Sequence, residues 1–457
     1  MSLFKIGNPS MTEGPIFKNV ILYTIPIILS TLLQLAFNAA DMIVVGRFCG
    51  AISLAAVGAT GSITGLLTML FIGMATGSGV VVAQRLGAKD HETVHRAIHT
   101  AIPASIICGA FLTVLGIILS GRLLEMMGTP ENVLPLSTIY MQIIFGGMIF
   151  SMLYNFSSAI LRAAGDSKTP LTALTIAGVV NVVLNVIFVT IINMNVAGVA
   201  LATIISQAVS AILVTRALIH RSDSCKLILS KMKIYGHELV LIAKIGLPAG
   251  IQSSLFSISN VIIQSSVNSF GDVFMSGNAA AMNLEGFMAA FGSSFYQTVL
   301  NFMGQNEGAK QYKRMYKILG VCCACAATIG LAMGLMLVIF DEQLLSIYIT
   351  DSDEAIYWGT VRLLYMALPY FIIALMDIST GALRGIGCSV PPMVISTVCI
   401  CGFRILWIAT VFAHFHTPQV LYLSYGISWF VTLTIQMSVF LVKLRNKCKT
   451  EENAITT

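Results

Sequence analysis

Charge is scarce in this chain. Asp, Glu, Lys and Arg make up only 10% of its 457 residues, against about 25% in an ordinary soluble domain. So small a supply cannot solvate a globular surface of this size, which excludes a soluble fold. The ten cysteines show no paired spacing, and Cys322, Cys323, Cys325, Cys399 and Cys401 lie within apolar runs. A thiol there behaves as a small hydrophobe, so neither a disulfide framework nor a redox motif is expected. The segment "GDSKT" at 165–169 lacks the first Gly and the Gly-Lys pair of a phosphate-binding loop. No catalytic triad is legible, which leaves a membrane-embedded enzyme without support. A cleavable leader is not expected either, because the start is polar and the first apolar run is too long.

What the chain does have is apolar sequence: 56% hydrophobic residues and a mean hydropathy of +0.87. Apolar runs fall near 17–46, 52–82, 97–120, 134–160, 170–192, 196–220, 238–268, 277–303, 314–340, 357–383, 391–413 and 418–442. Each is long enough to span a bilayer as a helix. The expected fold class is therefore an all-α polytopic membrane protein of twelve spans. Of 26 Lys and Arg, 22 sit at ends that face one side if the spans alternate. Only Arg47, Arg122, Arg362 and Arg404 fall elsewhere, and the connection 341–354 carries five acids and no base. The positive-inside rule then places both termini in the cytoplasm. The net charge of +6 belongs to this topology, and no nucleic-acid partner is expected.

The chain repeats itself. "SSAILRAAGDSKTP" (157–170) returns as "STGALRGIGCSVPP" (379–392), aligning Arg162 with Arg384, Gly165 with Gly387 and Pro170 with Pro392, each 222 residues on. Pro26 and Pro248 keep the same offset, and "GAK" at 87–89 returns at 308–310, slipped by one. A fixed period over most of the chain marks an internal duplication. The expected organisation is a tail (1–14), a first six-helix lobe (15–220), a basic cytoplasmic linker (221–237), a second lobe (238–443) and a tail (444–457). Six spans return the chain to its starting side, so the halves are parallel repeats about an axis along the membrane normal, as in many transporters. In the repeated turn, Gly165-Asp166 is expected to end one helix, with Thr169 capping the next and Pro170 in its first turn.

Three of the 20 acids fall inside predicted spans: Asp41, Glu285 and Asp377. Their repeat counterparts are Ile263, Ile63 and Asn155, so the shared scaffold requires none of them. An ionised Asp in mid-membrane costs roughly 2.5–3.5 kcal/mol, which points to function by default. Gln34, Asn38 and Asp41 share one helix face at i, i+4, i+7. That face is expected to look into the bundle or a watered cavity; the plainer alternative is an interfacial Asp41 paired with Arg47. Asn181 and Asn185 lie one turn apart, as do Thr203 and Gln207. Their oxygens are hard donors suited to Na⁺ or to a protonated carboxyl, or else simply pack helices together. On the seventh span Ser253, Ser257, Asn260, Gln264 and Asn268 form a polar stripe expected to line a second cavity, with Glu285 near it. Asp377 shares a face with Arg384, and a structural ion pair is expected there. His91, His95 and His99 recur at i, i+4, i+8, yet they sit beside Arg96 at a helix start, and no metal site is expected.

Taken in order, Pro26 with "NAADMIVVGR", "LGAKD", "LRAAGDSKTP", "NVVLNVIF", "VAGVALATIISQ", "NLEGF", "GQNEGAK" and "ALRGIG" resemble the multidrug and toxic compound extrusion (MATE) family, bacterial type, over nearly the whole chain. The resemblance implies two lobes around a central cleft, working as a monomer in the inner membrane. It further implies export of organic cations or amphipathic drugs in exchange for H⁺ or Na⁺, with no other cofactor and no catalysis. Asp41 matches the family's first-helix carboxylate, with Asn181 and Thr203 as further members of that site. Asn185 stands where many relatives carry Asp, a departure that removes a charge and favours H⁺. Glu285 matches an acid linked in some relatives to substrate or coupling chemistry. The alternative is a flippase of lipid-linked saccharides from the same broad fold group. Its anionic headgroups would want Lys or Arg in the cleft, where the spans here offer three acids against Arg404.

Overall fold

The structure is a computed structural model. It describes residues 10–350 and 352–456, with side chains described as far as Asn453. Every regular element among these residues is helical, as the bilayer demands of backbone that must satisfy its own hydrogen bonds. The first half contains α1 (Ile16–Phe48), α2 (Ala51–Gly87), α3 (His91–Met126), α4 (Leu134–Gly146), α5 (Met148–Ala163), α6 (Lys168–Val186) and α7 (Asn195–Ile219). The second contains α8 (Gly236–Asn268), α9 (Asp272–Gly308), α10 (Tyr312–Ile339), a short α11 (Asp341–Leu345), α12 (Asp353–Met366) and α13 (Tyr370–Gly385). It ends with α14 (Val390–Ser396), α15 (Phe403–Trp407), α16 (Ala413–Phe415) and α17 (Pro418–Thr456).

Nine rods among the described residues, counting the continuous run Val390–Phe415 through α14, α15 and α16 as one, are long and apolar enough to cross a membrane, and the bent pairs α4–α5 and α12–α13 bring the number to eleven. The twelfth rod is α9. At 37 residues it spans roughly 55 Å at 1.5 Å per residue, but hydropathy misses it because Ser, Asn, Gln and Gly interrupt its apolar positions. Twenty of its residues are buried. A helix enclosed by its neighbours need not present an apolar face to lipid.

The duplication is visible in backbone detail. The bends at α4–α5 and α12–α13 measure 47° and 48°. They fall at Gly147 and Pro369, 222 residues apart, so one kink arises from a glycine and the other from a proline. Gly50 and Gly271 open α2 and α9 at φ 85° and 90°, a left-handed region that glycine adopts without steric cost. Lys89 and Lys310, the last residues of the repeated "GAK", both sit at positive φ, 57° and 54°. Wider π-helical turns follow α6 at Ile187–Ile191 and interrupt its counterpart at Thr397–Gly402 and Ile408–Phe412. In the repeated turn the cap differs from expectation. Asp166, rather than Thr169, closes the start of α6, accepting from the Lys168 and Thr169 amides (3.2 and 3.0 Å) and from the Thr169 hydroxyl (2.7 Å).

Packing divides the chain into two compact units. One holds Ile25–Ile251; the other holds Ser10–Thr24 and everything from Gln252 onward. The opening turns of α1 thus belong with the second-half helices, where the Thr24 and Thr298 hydroxyls lie 2.9 Å apart and Asn306 donates to the Met11 carbonyl. The opening turns of α8 belong with the first-half helices. There a Cβ on Gly73 would lie 2.4 Å from the Gly250 amide nitrogen, and one on Gly77 would lie 2.3 Å from the Ile242 carbonyl. The 221–235 segment is irregular apart from one 3₁₀ turn, and it is fastened to α3. His99, fully buried, has both ring nitrogens within hydrogen-bond distance of main-chain groups of His95 and Ile228. This histidine is a strut for the segment.

Candidate functional site

Each unit contains a cavity of its own. The first, about 300 Å³, lies among α1, α5, α6 and α7 and brings together Gln34, Asn38, Asp41, Asn181, Thr203 and Gln207. All six were expected as site residues, three of them (Gln34, Asn38 and Asp41) on one inward-looking helix face, and Asp41 is their chemical centre. Asn185 donates to one carboxylate oxygen at 2.5 Å, and the Thr203 hydroxyl lies 3.4 Å from the other. The same Asn185 amide also donates to the Asn181 side-chain oxygen at 3.2 Å. Asn185 stands behind the cavity wall, fully buried, and its own side-chain oxygen has no hydrogen-bond partner. The plainer alternative fails: Arg47 is exposed, and among the described residues no Lys or Arg comes within 4 Å of Asp41. A half-buried carboxylate held by neutral donors alone remains free to take up a cation.

Sequence reasoning missed the α5 contribution. Ser151, Tyr154 and Asn155 line the same cavity, and the only signal was Asn155's place as repeat counterpart of Asp377. Ser206 and Ser210, on the Gln207 face of α7, and Phe37 complete the polar and aromatic walls.

The second cavity, about 360 Å³, includes Asn260, Gln264, Glu285 and Asp377. Gln264 donates to Asn268 at 2.9 Å. The structure revises two expectations. Glu285 is no free charge: Arg362 grips it bidentately at 2.8 and 2.7 Å, and also donates to Asn278 at 2.7 Å, with the Tyr422 hydroxyl on the same Asn278 oxygen at 3.0 Å. Both ends of the pair are buried. Asp377 forms no ion pair with Arg384, whose terminal nitrogens donate instead to Tyr296 (2.6 Å) and Gln252 (2.7 Å). Seven residues separate the two along the helix, a rise of roughly 10 Å, so a shared face does not bring them into contact.

The cavities occupy equivalent places in the repeat. Asn38 corresponds to Asn260, Asn155 to Asp377, Asp41 to Ile263, Thr203 to Tyr425 and Gln207 to Trp429, and all ten line their respective cavities. Duplication kept the hollow and changed the chemistry of its walls.

Comparison with known proteins accords with this architecture. The MatE family model matches twice, at residues 26–187 and 248–409, an offset of 222 residues that covers more than half of the chain. The chain is 29% identical to the probable multidrug resistance protein YpnP of Bacillus subtilis (strain 168), covering 85% of this chain and 86% of that one. It is 28% identical to the probable multidrug resistance protein YoeA of the same organism, over 93% of both. A MATE crystal structure in complex with MaL6 superposes with a TM-score of 0.89 at 20% identity, covering 97% of this chain and all of that one, which fixes the fold. This chain, a multi-pass membrane protein built from two copies of one helical repeat, belongs to the MatE family of transporters.

Proposed function

We propose that the chain is a secondary active antiporter, exporting small organic cations or amphipathic drugs in exchange for H⁺ by alternating access of its lobes. The observation that carries this reading is Asp41: a carboxylate lining a cavity within a spanning helix, held by amide and hydroxyl donors with no basic residue beside it. A bare carboxylate is costly to occlude in the bilayer interior, whereas a proton, Na⁺ or a cationic substrate neutralises it. The occupants compete, and competition at one site is what antiport requires. Naming of the relatives as probable multidrug resistance proteins supports a drug-like cargo.

Two features favour H⁺ over Na⁺. With Asn at 181 and 185, Asp41 is the cavity's one carboxylate, and a proton needs only one titratable acid. Asn185 also suits both protonation states. Its amide nitrogen donates to the ionised carboxylate, while its unpartnered buried oxygen can accept from the protonated one once the amide turns. The basic asymmetry of the sequence supports an orientation with both termini on the cytoplasmic side of the inner membrane. The test is efflux of a fluorescent organic cation from proteoliposomes. A pH gradient without Na⁺ should drive it; a Na⁺ gradient at fixed pH, insensitive to a proton uncoupler, would overturn the choice of ion. Movement with neither gradient would overturn antiport.

A further inference from the structure

We infer that the second cavity is a binding site for organic anions, a carboxylate or phosphate carried on an aromatic body, with Arg404 as its anchor. Arg404 is 3% exposed and lines this cavity. Its Nε donates to the Ser428 hydroxyl at 3.1 Å. Its guanidinium lies 4.1 Å from the Tyr425 ring centroid and 5.9 Å from that of Trp429. The two terminal nitrogens have no protein acceptor, and among the described residues no carboxylate comes within 4 Å of them. Glu285 is committed to Arg362, and Asp377, which also lines this cavity, forms no ion pair with Arg404. A cation so enclosed, stacked on one face and open at its forked edge, has the form that receives a carboxylate or phosphate bidentately.

The repeat shows that this chemistry is specific to the second cavity. Where the first has Asp41, Thr203 and Gln207, the second has Ile263, Tyr425 and Trp429. Arg404 itself answers to Val182 of the first half. The walls lose the Asp41 carboxylate, gain the Arg404 guanidinium and exchange two polar side chains for aromatics, while Asn155 gives way to Asp377, which lies beyond 4 Å of the guanidinium. The surroundings of Arg404, with Tyr425 and Trp429 beside it and Ile263 in place of the acid, thereby suit an anion with a flat apolar body. The π-helical turn Thr397–Gly402 ends two residues before Arg404, and such turns are frequent at functional sites. This inference does not depend on transport or on the coupling ion.

Equilibrium dialysis of the purified full chain in neutral detergent tests it, with protein-free micelles as the partition control. The probes are 2-naphthoate, 2-naphthyl phosphate and the uncharged 2-naphthol. Saturable binding of either anion at least tenfold tighter than 2-naphthol is expected, and the tighter of the two identifies the preferred headgroup. Arg404→Gln should abolish that preference, Arg404→Lys should retain part of it, and Asp41→Asn should leave it unchanged. Equal binding of anions and 2-naphthol by the parental protein would overturn the inference without recourse to any variant. So would an anion preference that survives Arg404→Gln or disappears with Asp41→Asn.

Discussion

At the scale of single residues, Asp41 and Glu285 are accommodated in opposite ways. Asp41 is held by neutral donors, whereas Glu285 is neutralised by Arg362. A buried pair is tolerated because its partners satisfy one another, and removing one of them strands the other. Glu285→Gln or Arg362→Gln should therefore lower stability by about 3–5 kcal/mol, read as a fall in the thermal midpoint of the purified protein. The double replacement Glu285→Met with Arg362→Met should recover most of that loss. Singles as stable as the parent would show that the pair is not structural. Here sequence reasoning reached its limit. Arg362 stands out in the sequence only as a base outside the positive-inside pattern, since its partner is 77 residues away. Asp41 was easier to read, because its companions Gln34 and Asn38 lie on its own helix and the burial cost of a lone acid is local information.

At the scale of elements, hydrophobic length identified most rods, and the 222-residue period predicted which would look alike. The matched bends at Gly147 and Pro369 show why the backbone copy outlasts the sequence copy: two chemically different residues produce one geometry. The period does not say which helices touch. The α5 residues of the first cavity stayed hidden for that reason, and so did the approach of α2 to α8. Backbone against backbone at Gly73, Gly77, Gly246 and Gly250 leaves no space for a methyl group. Gly77→Ala should force these helices apart at a cost of about 1–3 kcal/mol. Gly58→Ala, where a Cβ meets nothing within 4 Å, should be neutral. Thermal unfolding of the two variants side by side checks this, and an unaffected Gly77→Ala would mean the contact is not close in the folded protein.

At the scale of the whole molecule, the distribution of basic residues makes a claim about orientation. Ser230 and Ser346 are both exposed, and they fall on opposite sides if the spans alternate. With single cysteines placed there in a cysteine-free background, an impermeant thiol reagent added to intact cells should label position 346 and spare position 230; the reverse pattern would invert the topology. If export is driven by exchange at one half-buried carboxylate, replacing Asp41 by Asn should stop it. Asn is nearly isosteric with Asp and costs less to bury, so membrane abundance and thermal stability should match the parent. The decisive measurement is pH-gradient-driven efflux of an organic cation from proteoliposomes at matched protein density. Asp41→Asn should abolish gradient-driven efflux; pumping at the parental rate would show that Asp41 is not the exchanging group.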